Sequence, residues 1–178
     1  MTAPESSVPD QLDLERHRDL IGRANNVWFR RLLVLVLLAL VGLALANTFG
    51  QHPITSKAQS PAASLSVRAP VRLRSGLVYE LRIEIRARQT LRNANLLLGR
   101  GWLEGITLNT LEPSPSNETS DDGSLKLSLG PIESGHLFIE FIQMQVNPTT
   151  VGQRTADVSL LDGTRRVASI HRTTTVFP

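Results

Sequence analysis

Between Leu32 and Phe49 the chain runs for eighteen residues without a charge, and from Leu32 to Ala46 every residue is apolar or glycine. As an α-helix this run is about 27 Å long at 1.5 Å per residue, close to the roughly 30 Å hydrocarbon core of a bilayer. A helix apolar on every face needs an equally apolar envelope, and no other block of this sequence is large enough to supply one. Two readings follow. As a retained anchor, the run has Trp28, Phe29 and Phe49 as interfacial aromatics and Arg30 and Arg31 at its N-terminal border. As a secretion signal, Leu32 to Leu43 is the apolar stretch and Ala44-Leu45-Ala46 the small-x-small cleavage site, so that the mature chain begins near Asn47. The anchor is favoured, because the preceding thirty-one residues far exceed a normal charged leader and the apolar run continues past the alanines to Phe49.

Orientation follows from the flanking cations. Arg16, Arg18, Arg23, Arg30 and Arg31 precede the run, whereas Lys57 stands alone on the other side before Arg68. The excess of Arg on the first side puts the N-terminus in the cytoplasm and the rest of the chain outside, in the cell envelope. Within the run Ala39, Gly42 and Ala46 recur at three- and four-residue spacing, as candidate positions for close helix packing.

Four segments are expected. Residues 1–31 form a cytoplasmic tail, with Ser7 a candidate cap for an amphipathic juxtamembrane helix whose Leu14, Ile21 and Trp28 share a face. Residues 32–50 are the transmembrane helix. Residues 51–64, "QHPITSKAQSPAAS", carry two prolines and no periodicity, and read as an extended tether. From 65 to 178 the period changes to two. In "YELRIEIRAR", Tyr79, Leu81, Ile83, Ile85 and Ala87 alternate with Glu80, Arg82, Glu84, Arg86 and Arg88. One set faces a core and the other faces water, where cross-strand ion pairing is expected. "SLKLSL" repeats the alternation, and "HLFIEFIQMQV" is apolar on both faces, as a central strand would be. Asp162-Gly163 marks a hairpin, and "EPSPSNETSDDG" reads as the longest loop. Seven or eight such strands predict an all-β, antiparallel sandwich.

Little in the outer segment points to chemistry. The chain has no cysteine, which excludes disulfides, thiolate metal sites and a cysteine nucleophile. Net charge is only +3 with acids and bases interleaved, so nucleic-acid binding is not expected. His136 and His171 lack any His-x-His or His-Glu-x-x-His spacing, and no Gly-x-Ser-x-Gly elbow accompanies them. Asp121-Asp122-Gly123 is either part of a calcium loop or a turn, and the turn is favoured because Asp-Gly pairs are standard turn formers. In "GRGWLEG", Arg100 and Trp102 are the candidate binding surface, Arg and Trp being the types that dominate interface energetics. Packing of Trp102 between sheets is the competing and favoured reading.

The stretch "LGPIESGHLFIEFIQMQVNPTTVGQRTADVSLLDG" resembles bacterial immunoglobulin-like modules of the adhesion and envelope type. The whole chain is similar to small actinobacterial single-pass membrane proteins. The resemblance implies an Ig-like β-sandwich and carries no catalytic residues to transfer. The expectation is a non-enzymatic, membrane-anchored module without cofactor, metal or small-molecule substrate, partnered by the lipid bilayer and another membrane or envelope protein. A secreted binding domain and, more remotely, an envelope hydrolase are the alternatives.

Overall fold

A computed structural model describes residues 24–46 and 51–178. The chain divides into two units at residues 49/50. In the first, helix α1 spans Ala24–Leu45. It therefore begins before Arg30 and Arg31 and carries them and the apolar run on one continuous helix. Every side chain from Val27 to Ala46 is exposed. The guanidinium of Arg31 lies over the Trp28 ring, 5.7 Å from its centroid. The part of the expected juxtamembrane helix before Ala24 and the interfacial Phe49 lie outside the described residues.

The second unit is built from thirteen strands. The first five are β1 (Pro53–Gln59), β2 (Ala63–Pro70), β3 (Arg72–Arg74), β4 (Val78–Ala87) and β5 (Leu91–Leu98). After a 3-10 turn at Arg100–Trp102 come β6 (Ile106–Glu112), β7 (Asn117–Asp121), β8 (Ser124–Ile132) and β9 (Leu137–Val146). The last four are β10 (Gly152–Thr155), β11 (Val158–Asp162), β12 (Arg165–Ile170) and β13 (Thr173–Phe177). Two antiparallel five-stranded sheets, ordered β1-β2-β4-β9-β6 and β12-β11-β5-β8-β7, form the sandwich. A three-stranded sheet, β10-β13-β3, adds the one parallel pairing among the described residues.

The core follows from the alternation in β4. Tyr79, Leu81, Ile83, Ile85 and Ala87 are all buried, whereas Glu80 and Arg86 are exposed. Against them pack Leu65 and Val67 of β2, Ile142, Met144 and Val146 of β9, and Leu96, Leu98, Leu127, Val158 and Leu160 of the other sheet. Each fully buried Leu or Ile contributes about 2 kcal/mol relative to exposure.

Three expectations are corrected. The segment read as a tether is mostly strand: β1 pairs with β2 from Pro53↔Pro70 to Gln59↔Ser64, and β2 itself begins at Ala63. A polar strand without periodicity suits a sheet edge, where the backbone ladder holds it and only Ala58 packs on the core. The chain left between α1 and β1 is residues 46–52. The stretch read as the longest loop contains β7, paired with β8 around a two-residue turn, Asp122-Gly123. Both turn residues have positive φ, 45° and 73°, as a type I′ hairpin requires. The number of strands also exceeds the seven or eight expected, because β3, β7 and β10 are too short and polar to show a period.

Candidate functional site

The 3-10 turn after β5 organises one corner of the sandwich. Trp102 is 1% exposed, so it belongs to the core and not to a binding surface. Its indole N–H donates to the Asp157 carbonyl at 3.1 Å, which satisfies the one polar group of the ring. The backbone passes so close to β10 at Gly101 that a Cβ there would lie 1.7 Å from the Thr155 carbonyl oxygen. Glycine is therefore required at this point, and the close approach drives the indole inward.

Arg100 points the other way. Its guanidinium donates to the Asp122 carboxylate at 2.7 Å and to the Asp122 carbonyl at 3.1 Å. Asp121-Asp122-Gly123 is thus a hairpin turn, with the Asp122 carboxylate committed to an arginine. Among the described residues no three His, Asp or Glu side chains converge to hold a metal ion.

Arg100, Glu104, Arg154 and Asp157 line a shallow depression beside this turn. Arg154 donates to the Glu104 carbonyl. At its rim the Nδ1 of His171 lies 3.1 Å from Asp157 Oδ1. A carboxylate hydrogen-bonded to an imidazole is the second half of a nucleophile–base relay, but Asp157 Oδ1 has no hydrogen-bond partner. Here the imidazole is 80% exposed, and among the described residues no serine or threonine hydroxyl bonds to it. The other histidine, His136, is likewise exposed, 4.0 Å from Glu133.

Three further polar features were not foreseen. Arg172 is buried and donates to the carbonyls of Val67 at 3.0 Å and Ala69 at 2.7 Å, around the last pair of the β2–β4 ladder, Arg68↔Arg82. Burial lowers the affinity of its guanidinium for the proton, and the neighbouring Tyr79 opposes that shift. The Tyr79 hydroxyl donates to Met144 Sδ at 3.2 Å, and burial pushes its acidity well below the ordinary phenol. Glu140 of β9 is fully buried, opposite Ile83 of β4, and neither carboxylate oxygen has a hydrogen-bond partner. Desolvation raises its pKa from 4.5 to about 7. Its parity with the apolar Ile142, Met144 and Val146 was the available signal that it points inward.

The outer face of the first sheet is the other prominent surface. Leu137, Ile139 and Phe141 of β9 lie beside Arg86, Glu84 and Arg82 of β4, and Leu137 and Phe141 are 45% and 37% exposed. Ion pairing on this face runs along the strand and not across it: Arg82 bonds Glu84 at 2.8 Å and stacks over Phe141, 5.4 Å from the ring centroid. The expected solvated charge face is therefore half of a mixed apolar and charged surface.

No family model matches this chain, and no curated protein matches it. Solved structures do. AvmM, described as catalysing macrocyclization in alchivemycin A biosynthesis, is 11% identical with a TM-score of 0.40, covering 71% of this chain and 97% of its own. A non-cellulosomal cohesin from Archaeoglobus fulgidus is 13% identical with a TM-score of 0.40, covering 70% and 91%. The CARDB domain of a Pyrococcus furiosus protein, solved with di-metal ions, is 10% identical with a TM-score of 0.36, covering 70% and 89%. Likenesses at these scores assign neither a ligand nor an activity.

Proposed function

We propose that this chain is a single-pass membrane protein of the cell envelope. Its N-terminus is cytoplasmic, and its Ig-like sandwich lies outside the cytoplasm, where it binds or stabilises another membrane or envelope protein without catalysis. The observation that carries this reading is α1. Val27–Leu45 is a 19-residue helical stretch, charged only at Arg30 and Arg31 near its start, with no buried side chain. Nineteen residues rise about 28 Å, enough to cross a hydrocarbon core, and lipid is the environment that covers such a surface. Trp28 and Phe29 sit on this helix just ahead of Arg30 and Arg31, an order that suits an inner-leaflet border. Ala39, Gly42 and Ala46 remain the proposed helix-packing positions, and the mixed face of Arg82, Leu137, Ile139 and Phe141 is the proposed protein-binding surface in place of Trp102.

Membrane fractions washed at high pH, intact-mass measurement and protease protection test the reading together. The chain is expected to stay in the pellet, to retain the residues before Asn47, and to expose the sandwich to protease from outside. A mature chain beginning at Asn47 would replace the anchor with the secreted-domain reading. Crosslinking in native membranes then tests the partner. Recovery of no second membrane or envelope protein would remove the binding role.

A further inference from the structure

The ladder between β9 and β6 runs from Ile106↔Val146 to Glu112↔Phe141 and stops there. Residues 137–140 therefore have β4 on one side and no strand on the other. The N–H of Val146 donates to Leu77 O, and His136 O accepts from Ala87 N–H, so the even-numbered residues of β9 bond towards β4. By strand parity the N–H and C=O groups of Leu137 and Ile139 point to the open side.

The edge strands of the two five-stranded sheets are protected. Pro53 and Lys57 stand on β1, β6 has a register shift at Leu108/Thr110 and ends at Glu112-Pro113, β7 carries Glu118 and Asp121, and β12 carries Arg165 and Arg166. Charges, prolines and bulges of this kind discourage edge pairing. Leu137-Phe138-Ile139 has none of them. What this edge does have is an inward carboxylate, Glu140, whose two oxygens are buried and unpartnered.

We propose that the open half of β9 pairs with the same segment of a second copy of this chain, antiparallel about a two-fold axis at Phe138. That register sets Leu137 of one copy opposite Ile139 of the other, as hydrogen-bonded pairs. It also sets Glu140 opposite His136 of the second copy, both on the inner side of the joined sheet. Directly opposed residues have Cβ atoms about 4.5–5.5 Å apart, within reach of a carboxylate–imidazole hydrogen bond. In the single chain the exposed His136 lies 4.0 Å from Glu133 and Glu140 is fully covered, so pairing requires the imidazole to leave Glu133 and the cover over Glu140 to open. On the outer side the apolar side chains of Leu137, Ile139 and Phe141 from both copies merge into one patch. An inward charge guards an edge only against strands that bring nothing to pair with it. A second copy brings an imidazole. The inference does not depend on whether α1 is retained.

The chain has no cysteine, so single cysteines report the register cleanly. Full-length L137C and I139C chains with different tags, co-expressed and mildly oxidised, are expected to form the mixed disulfide about tenfold more readily than either variant with itself. Adding H136A to both is expected to lower that yield about tenfold, through loss of a hydrogen bond to a charged group. Absence of the mixed product, self-linking at an equal rate, or a yield indifferent to H136A each overturns the proposal. So does a higher yield with E140Q, because Glu140 would then be guarding the edge.

Discussion

Replacing Glu140 by Gln should stabilise the sandwich, and only above a definite pH. The carboxyl is fully buried, has no hydrogen-bond partner, and is held at about 7 by desolvation alone. In the unfolded chain it titrates near its ordinary 4.5. Between these values the folded state binds the proton and the unfolded state does not, so stability falls as pH rises from about 4.5 to 7 and levels off above. The interval corresponds to about 3 kcal/mol at 1.36 kcal/mol per tenfold change in proton affinity. Glutamine imitates the protonated acid and removes this loss. Wild type and E140Q should therefore be nearly equal at pH 4, and E140Q more stable by about 3 kcal/mol at pH 8. Urea titrations in detergent at high dilution, where no second copy is present, measure the difference. A Trp28→Phe background leaves Trp102 as the one fluorescent indole, because the chain has two tryptophans. Parallel wild-type and E140Q curves from pH 4 to 8, or a less stable E140Q at pH 8, would show that the side chain is hydrated or paired in the folded state.

Four other substitutions separate core from surface. Trp102→Ala should cost about 3–5 kcal/mol in a urea titration followed by circular dichroism, whereas Arg100→Ala, which removes an exposed ion pair two residues away, should cost less than about 1 kcal/mol. Gly101→Ala forces the backbone away from the Thr155 carbonyl and should destabilise by about 3 kcal/mol, read as a lower urea midpoint. Arg172→Met strands the carbonyls of Val67 and Ala69 and should cost about 3 kcal/mol, with hydrogen exchange accelerating first in β1 and β2.

Much of the architecture is written in local pattern. A strand turns successive side chains to opposite faces, so "YELRIEIRAR" declares which residues of β4 are buried without reference to any other strand. Two-residue turns depend on the φ tolerance of their own residues, which is why the hairpin of β11 and β12 at Asp162-Gly163 was legible. The turn at Asp122-Gly123 was legible for the same reason. The uninterrupted apolar run predicts its own helix, because no neighbour is needed to recognise it.

What escaped the sequence depends on partners far along the chain. β1 is a strand because β2 offers it a ladder, and nothing in "PITSKAQ" has a period to announce that. Trp102 is buried because Gly101 lies against Thr155, fifty-four positions later in the sequence. Arg172 reaches carbonyls more than a hundred residues away. Glu140 is buried because its parity on β9 turns it into a core assembled from both sheets. Alternation and turn chemistry are properties of neighbouring residues, whereas pairing, edge position and desolvation arise only when distant segments meet. The fold class and the apolar helix therefore belong to the sequence, and the partnerless carboxylate and the open edge belong to the tertiary structure.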